Sequence, residues 1–106
     1  MSVVNALRAR PGVIELGADA PGAFTVRVQM PEVWDVVAVR CAGDTSVAAL
    51  KRAAFEAFGQ VHHVVDDYVM KLRGFEVLDE AAPLTAAGAR EGSTFLLTCR
   101  YRRPVR

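Results

Sequence analysis

His62 and His63 are adjacent, and Asp66 and Asp67 follow within the same short stretch. Imidazoles beside carboxylates are raw material for metal binding or proton transfer. Neighbouring histidines on a loop diverge, however, and no third ligand follows at a spacing that would close a coordination sphere. The stretch therefore reads as a solvated loop. The two thiols, Cys41 and Cys99, have neither a paired spacing nor a secretory context, and read as free cysteines of the core. There is no phosphate-cradling Gly-Lys-Ser/Thr loop, no local signature of a Ser/His/Asp set and no pair of carboxylates in an evident cleft. No enzymatic activity, metal or cofactor is expected.

What remains is the chemistry of recognition. Trp34 is the only tryptophan, in a β-rich run that ends at Cys41. If Val37, Val39 and Cys41 point inward, alternation sends Trp34, Val36, Ala38 and Arg40 outward as an apolar strip. Exposed tryptophan is enriched among the residues that dominate binding, so the strip is a candidate surface for a protein partner or for self-association. Lys71, Arg73, Leu96 and Thr98, on two other strand-like runs, should fill the opposite half of the same face. The last seven residues carry Arg100, Arg102, Arg103 and Arg106 and no acid, whereas residues 1–99 hold nine basic and twelve acidic side chains, a net charge of −3. This tail is the only basic segment. It reads first as solvated, and a nucleic-acid partner is disfavoured.

Holding these residues in place takes a folded domain. The chain has 106 residues, 52% of them hydrophobic and 24% charged, which suffices for one modest core and is unlike a disordered segment. No apolar run approaches the ~20 residues of a membrane span, and Met1 to Arg10 lacks the pattern of a secretory signal, so a cytoplasmic protein without a membrane role is expected.

Residues 1–22 are broken by Pro11-Gly12, Gly17 and Pro21-Gly22 and read as an extension, with one helical turn at Val3, Val4 and Leu7 and a short strand at Val13-Ile14-Glu15-Leu16. Phe24 to Met30 alternates apolar with polar side chains and predicts a strand. Pro31-Glu32 predicts a turn, and Trp34 to Cys41 the second arm of a hairpin. Asp44-Thr45-Ser46 supplies oxygens for the unpaired amides of a helix start. Val47, Leu50, Ala54 and Phe58 then line one face of a helix of ~14 residues that Gly59 terminates. Tyr68 to Arg73 predicts a third strand, Phe75 to Leu78 a short return strand, and Ser93 to Tyr101 a last strand with Phe95, Leu97 and Cys99 on one face. The predicted core is Val26, Val28, Val37, Val39, Val47, Leu50, Ala54, Phe58, Leu72, Leu84, Phe95 and Leu97. One apolar helix face must cover one apolar sheet face, which defines an α+β domain. The order fits a β-grasp sheet of four to five strands crossed by one helix, and by itself leaves ferredoxin-like arrangements open.

The series Lys71-Leu72-Arg73-Gly74-Phe75-Glu76-Val77-Leu78-Asp79, Leu84, Gly88-Ala89 and Glu91-Gly92-Ser93-Thr94-Phe95-Leu96-Leu97, with Asp44-Thr45 opening the helix, resembles ubiquitin and ubiquitin-like domains. The resemblance spans residues 24–102. It implies a ubiquitin-like β-grasp domain over 23–102, preceded by the extension 1–22 and followed by a basic tail at 103–106. It also implies that Lys51 matches a partly buried helix lysine, with Asp79 as its ion-pair partner.

The departures bear on function. Ubiquitin is conjugated through a terminal Gly-Gly, where this sequence has Arg103-Pro104, then Val105-Arg106. The isoleucine, histidine and valine of ubiquitin's main binding patch fall on Lys71, Leu96 and Thr98, so a cation replaces the apolar centre. The resemblance therefore implies a prokaryotic-type, non-catalytic interaction module or accessory subunit that binds an unidentified protein, similar in kind to the ubiquitin-like accessory proteins of type VII secretion loci. The alternative is a ubiquitin-like modifier, or its precursor, in a prokaryotic conjugation pathway. Sulfur carriers need the same Gly-Gly and are disfavoured. An RNA-binding tail on the same scaffold is a third, weaker reading.

Overall fold

The computed structural model describes residues 8–17, 22–31, 34–59 and 64–99, with backbone alone for 8–12. Six strands form one mixed sheet: Arg8–Leu16 (β1), Phe24–Met30 (β2), Asp35–Cys41 (β3), Tyr68–Leu72 (β4), Phe75–Glu76 (β5) and Thr94–Cys99 (β6), in the spatial order β1-β3-β2-β6-β4-β5. The expected hairpin is β2 with β3, paired from Phe24 opposite Cys41 to Met30 opposite Asp35. The last strand lies parallel to the first hairpin strand, with Val28 opposite Phe95. This neighbourhood of β2 and β6 defines the β-grasp, and the ferredoxin-like alternative falls away.

The sheet has one strand more than the four to five expected. Beyond Val13–Leu16 the backbone is extended back to Arg8 in spite of Pro11 and Gly12, and the whole of β1 runs parallel to β3 along the sheet edge. Turn-forming residues do not forbid a strand whose outer edge needs no ladder partner, and the register shifts between Ala9 and Val13 where they occur. Val3, Val4 and Leu7 lie outside the described residues.

The helix, Val47–Ala57 (α1), has 11 residues rather than ~14; of the expected start Asp44-Thr45-Ser46, Ser46 is the cap, and the regular turns stop at Ala57, before Phe58 and Gly59. The Ser46 hydroxyl accepts the Ala49 amide at 3.1 Å. The Val47 and Ala48 amides, orphans at any helix start, donate to the carbonyls of Ala82 (3.0 Å) and Glu80 (2.8 Å). Leu84 and Thr85 donate in return to the carbonyls of Thr45 and Gly43 at 2.8 and 3.1 Å. The loop 79–89 is thus fastened to the helix start from both directions. Gly59 follows the helix at φ 73°, as expected of a terminating glycine.

All twelve predicted core residues are buried. Met30, Cys41, Phe55, Tyr68, Met70 and Ala89 join them, with Phe55 and Tyr68 packed edge to face at 5.1 Å between ring centres. Cys41 is fully buried, whereas Cys99, expected in the core, is only half-buried at the end of β6.

Candidate protein-binding face

Strand register decides which outward side chains meet. Across the face away from α1, Val36 pairs with Gln29, Gln29 with Leu96, Leu96 with Lys71, and Lys71 with Glu76, so one row crosses β3, β2, β6, β4 and β5. Neighbouring strands lie ~4.8 Å apart, which puts Val36 about 14 Å from Lys71. Three residues singled out from the sequence therefore share one row, each half-buried. Thr98 sits two pairs away, opposite Val69, and is half-buried as well. Val69 is only 2% exposed although it alternates with the core-facing Tyr68 and Met70, so it adds almost no accessible surface to that end of the face. In the next row the half-buried Ala38 flanks the exposed Arg27, and the Arg40 guanidinium donates to the Thr25 hydroxyl at 3.4 Å. The face is mixed: Val36, Ala38 and Leu96 are its apolar members and Arg27, Arg40 and Lys71 its cations, with Gln29 in the middle of the row and Glu76 at its end.

Trp34 is not the first outward residue of the strand. It occupies the turn before β3 at φ 54°, its amide donating to the Pro31 carbonyl at 3.1 Å. That left-handed backbone takes the side chain out of the strand's alternation and leaves it 61% exposed at the rim of the face. Arg73 is likewise a turn residue: Arg73 and Gly74, at φ 53° and 85°, join the paired Leu72 and Phe75 as a two-residue turn of the mirror type that suits strand twist. Its guanidinium reaches over Gly88, where an added Cβ would stand 2.9 Å from it, and Gly88 itself has φ 99°. With Arg90, Glu91 and Leu72, Arg73 lines a shallow groove of about 380 Å³. Arg100, Arg102, Arg103 and Arg106 lie outside the described residues, as do His62 and His63; Asp66 and Asp67 form a single 3₁₀ turn with Val65.

Sequence reasoning missed two apolar side chains, Phe75 and Leu78, which are 78% and 84% exposed. Phe75 pairs with Leu72, so alternation alone turns it toward the core, but β5 is the two-residue edge of the sheet and lies beyond what α1 covers. The brevity of the run after Gly74 was the available signal. Lys51 pairs with a different acid from the one expected. Its ammonium, 4% exposed, is 2.7 Å from the Glu80 carboxylate and donates to the Tyr68 carbonyl at 2.9 Å. Asp79, the expected partner, instead accepts the Ala81 amide at 3.2 Å within its own turn, which leaves the longer Glu80 to reach back to the helix. Burial raises the Cys41 thiol pKa, against a lowering influence of Arg40, so Cys41 carries little thiolate at neutral pH.

No protein-family model matches the sequence, and no curated protein sequence is similar to it. The fold has clear relatives among solved structures. The ubiquitin-like domain of an Arabidopsis thaliana protein superposes with a TM-score of 0.64 at 17% identity, over 83% of this chain and 88% of that one. Caldiarchaeum subterraneum ubiquitin gives 0.62 at 14% identity, over 78% of this chain and all of that one. The ubiquitin-like domain of Plasmodium falciparum Dsk2 gives 0.60 at 22% identity, over 73% and 97%. The chain has a ubiquitin-like β-grasp fold.

Proposed function

We propose that the protein is a non-catalytic interaction module that docks a protein partner on the outer sheet face, with Val36, Leu96, Thr98 and Lys71 in the contact and Trp34 at its rim. The observation that carries this reading is the register that sets Val36, Leu96 and Lys71 in one row. Apolar area in that row supplies affinity on desolvation, and the cations select a partner with acidic side chains beside its apolar ones. The basic tail residues Arg100, Arg102, Arg103 and Arg106 add to the same preference. A cytoplasmic, prokaryotic setting suits the reading. A fold shared by modifiers and by docking domains does not fix the task, so the face carries the proposal.

Site-specific photo-crosslinking in the native host tests it. A crosslinker at Leu96 should capture a discrete protein that one at Arg52, exposed on the helix, does not, and Lys71→Glu or Trp34→Ala should reduce the yield without lowering the melting temperature. Equal capture from both positions would remove the face from the account. A branched peptide joining any of Arg100 to Arg106 to a target side chain would make the protein a modifier.

A further inference from the structure

The edge of β3 is completed by a strand whose pairing is interrupted and whose side chains are only half-buried. Only Val13–Leu16 of β1 pairs with β3 without interruption, against Ala38, Val39, Arg40 and Cys41. Before it the register slips, and Pro11 offers no amide to the ladder. Of the four paired residues, Ile14 and Leu16 turn inward and pack on the core as half-buried side chains, while Val13 stays 51% exposed. Beyond the ladder, the Ala42 amide donates to the Leu16 carbonyl at 3.3 Å. α1 runs alongside β1, so lifting the strand opens a slot between the helix and a strand edge with unpaired amides and carbonyls.

The connection to β2 permits that movement. β1 and β2 flank β3, so Leu16 and Phe24, both opposite Cys41, lie two strand spacings apart, about 10 Å, whereas any seven residues fully extended reach about 24 Å. The bounding glycines, Gly17 and Gly22, both have φ 77°, a conformation that glycine leaves without a steric penalty in either direction.

We infer that the β3 edge is a strand-accepting site and that its outside occupant is β1 of a second copy of this chain. The complementarity is already on display, because a second copy brings the same Val13–Leu16 to the same register and the same core contacts. Exchange therefore changes no contact within the site, and the balance between one chain and two is set by protein concentration and by the connection alone. Trp34 stands directly before Asp35, the residue opposite Arg8 at the other end of β1, and becomes part of the boundary between two exchanged copies.

Crosslinking of full-length chains tests the inference. Both carry Cys41→Ala and Cys99→Ala; one also has Val13→Cys and the other Ala38→Cys, at paired positions whose spacing suits a disulfide. The two are mixed in equal amounts, unfolded together, refolded at high and at low protein concentration, and oxidised. Exchange predicts a covalent dimer joining the two variants, in about half of all exchanged pairs by random mixing and falling with dilution. A chain with both Val13→Cys and Ala38→Cys reports pairing within one molecule. If that chain closes its internal disulfide while the mixture yields no cross-chain dimer at any concentration, the inference is wrong; if it does not close, the cis pairing on which the inference rests is wrong.

Discussion

The loop 79–89 and strand β1 invert the usual association of regular structure with firmness. The loop has no repeating geometry, yet its carbonyls take the first amides of α1, its own amides return to Thr45 and Gly43, Leu84 is fully buried beneath it, and Glu80 reaches Lys51. β1 is a nine-residue strand with a register slip and two half-buried anchors. The difference teaches that firmness follows the destination of backbone hydrogen bonds and the depth of side chains, not the periodicity of the backbone. In this molecule the firm region closes the core under the helix start, and the lightly held one lies at the edge of the sheet.

Leu84→Ala removes a side chain with no exposure and should cost about 2–5 kcal/mol in a urea unfolding curve. A loss under about 1 kcal/mol would mean that the loop is not part of the core. Lys51→Met keeps the buried stem but leaves the Glu80 carboxylate and the Tyr68 carbonyl without their shared donor, with an expected cost of about 2 kcal/mol. Asp79→Ala should be much milder, because its carboxylate serves only its own turn; the reverse order would restore Asp79 as the partner. Ile14→Ala should cost only about 1 kcal/mol, since the side chain is half-buried at an edge. A loss as large as that of Leu84→Ala would erase the contrast.

The sequence made the alternation of β2, β3 and β6 legible, because Val26, Val28, Val37, Val39, Phe95 and Leu97 sit at period two and each occupies a closed environment that admits only apolar side chains. Ser46, Gly59 and Gly74 were legible because each position asks for its residue type: the helix start needs a short side-chain oxygen, and the two glycines sit at φ 73° and 85°. β1 was only partly legible, since a strand held along one edge tolerates Pro11 and Gly12, and its partner lies more than twenty residues away in sequence. Trp34 was placed by the rule that served the core, and Phe75 was assigned no face at all. Alternation holds inside a strand, and one sits at a left-handed turn and the other on an edge too short to be covered. The partner of Lys51 turned on whether a carboxylate is already engaged locally, which spacing does not reveal. The candidate face was legible as single residues; their meeting in one row came from the register.

Native-state hydrogen exchange compares the two regions directly at two amides. The Leu84 amide, bonded to the Thr45 carbonyl at 2.8 Å, should exchange only through global unfolding, with a rate that rises steeply with added denaturant. The Ala42 amide, bonded to the Leu16 carbonyl at 3.3 Å, should exchange at least about tenfold faster through an opening of β1 that denaturant scarcely affects. Equal protection of Ala42 and Leu84, with the same denaturant dependence, would show that β1 opens only when the whole domain does and would contradict the account.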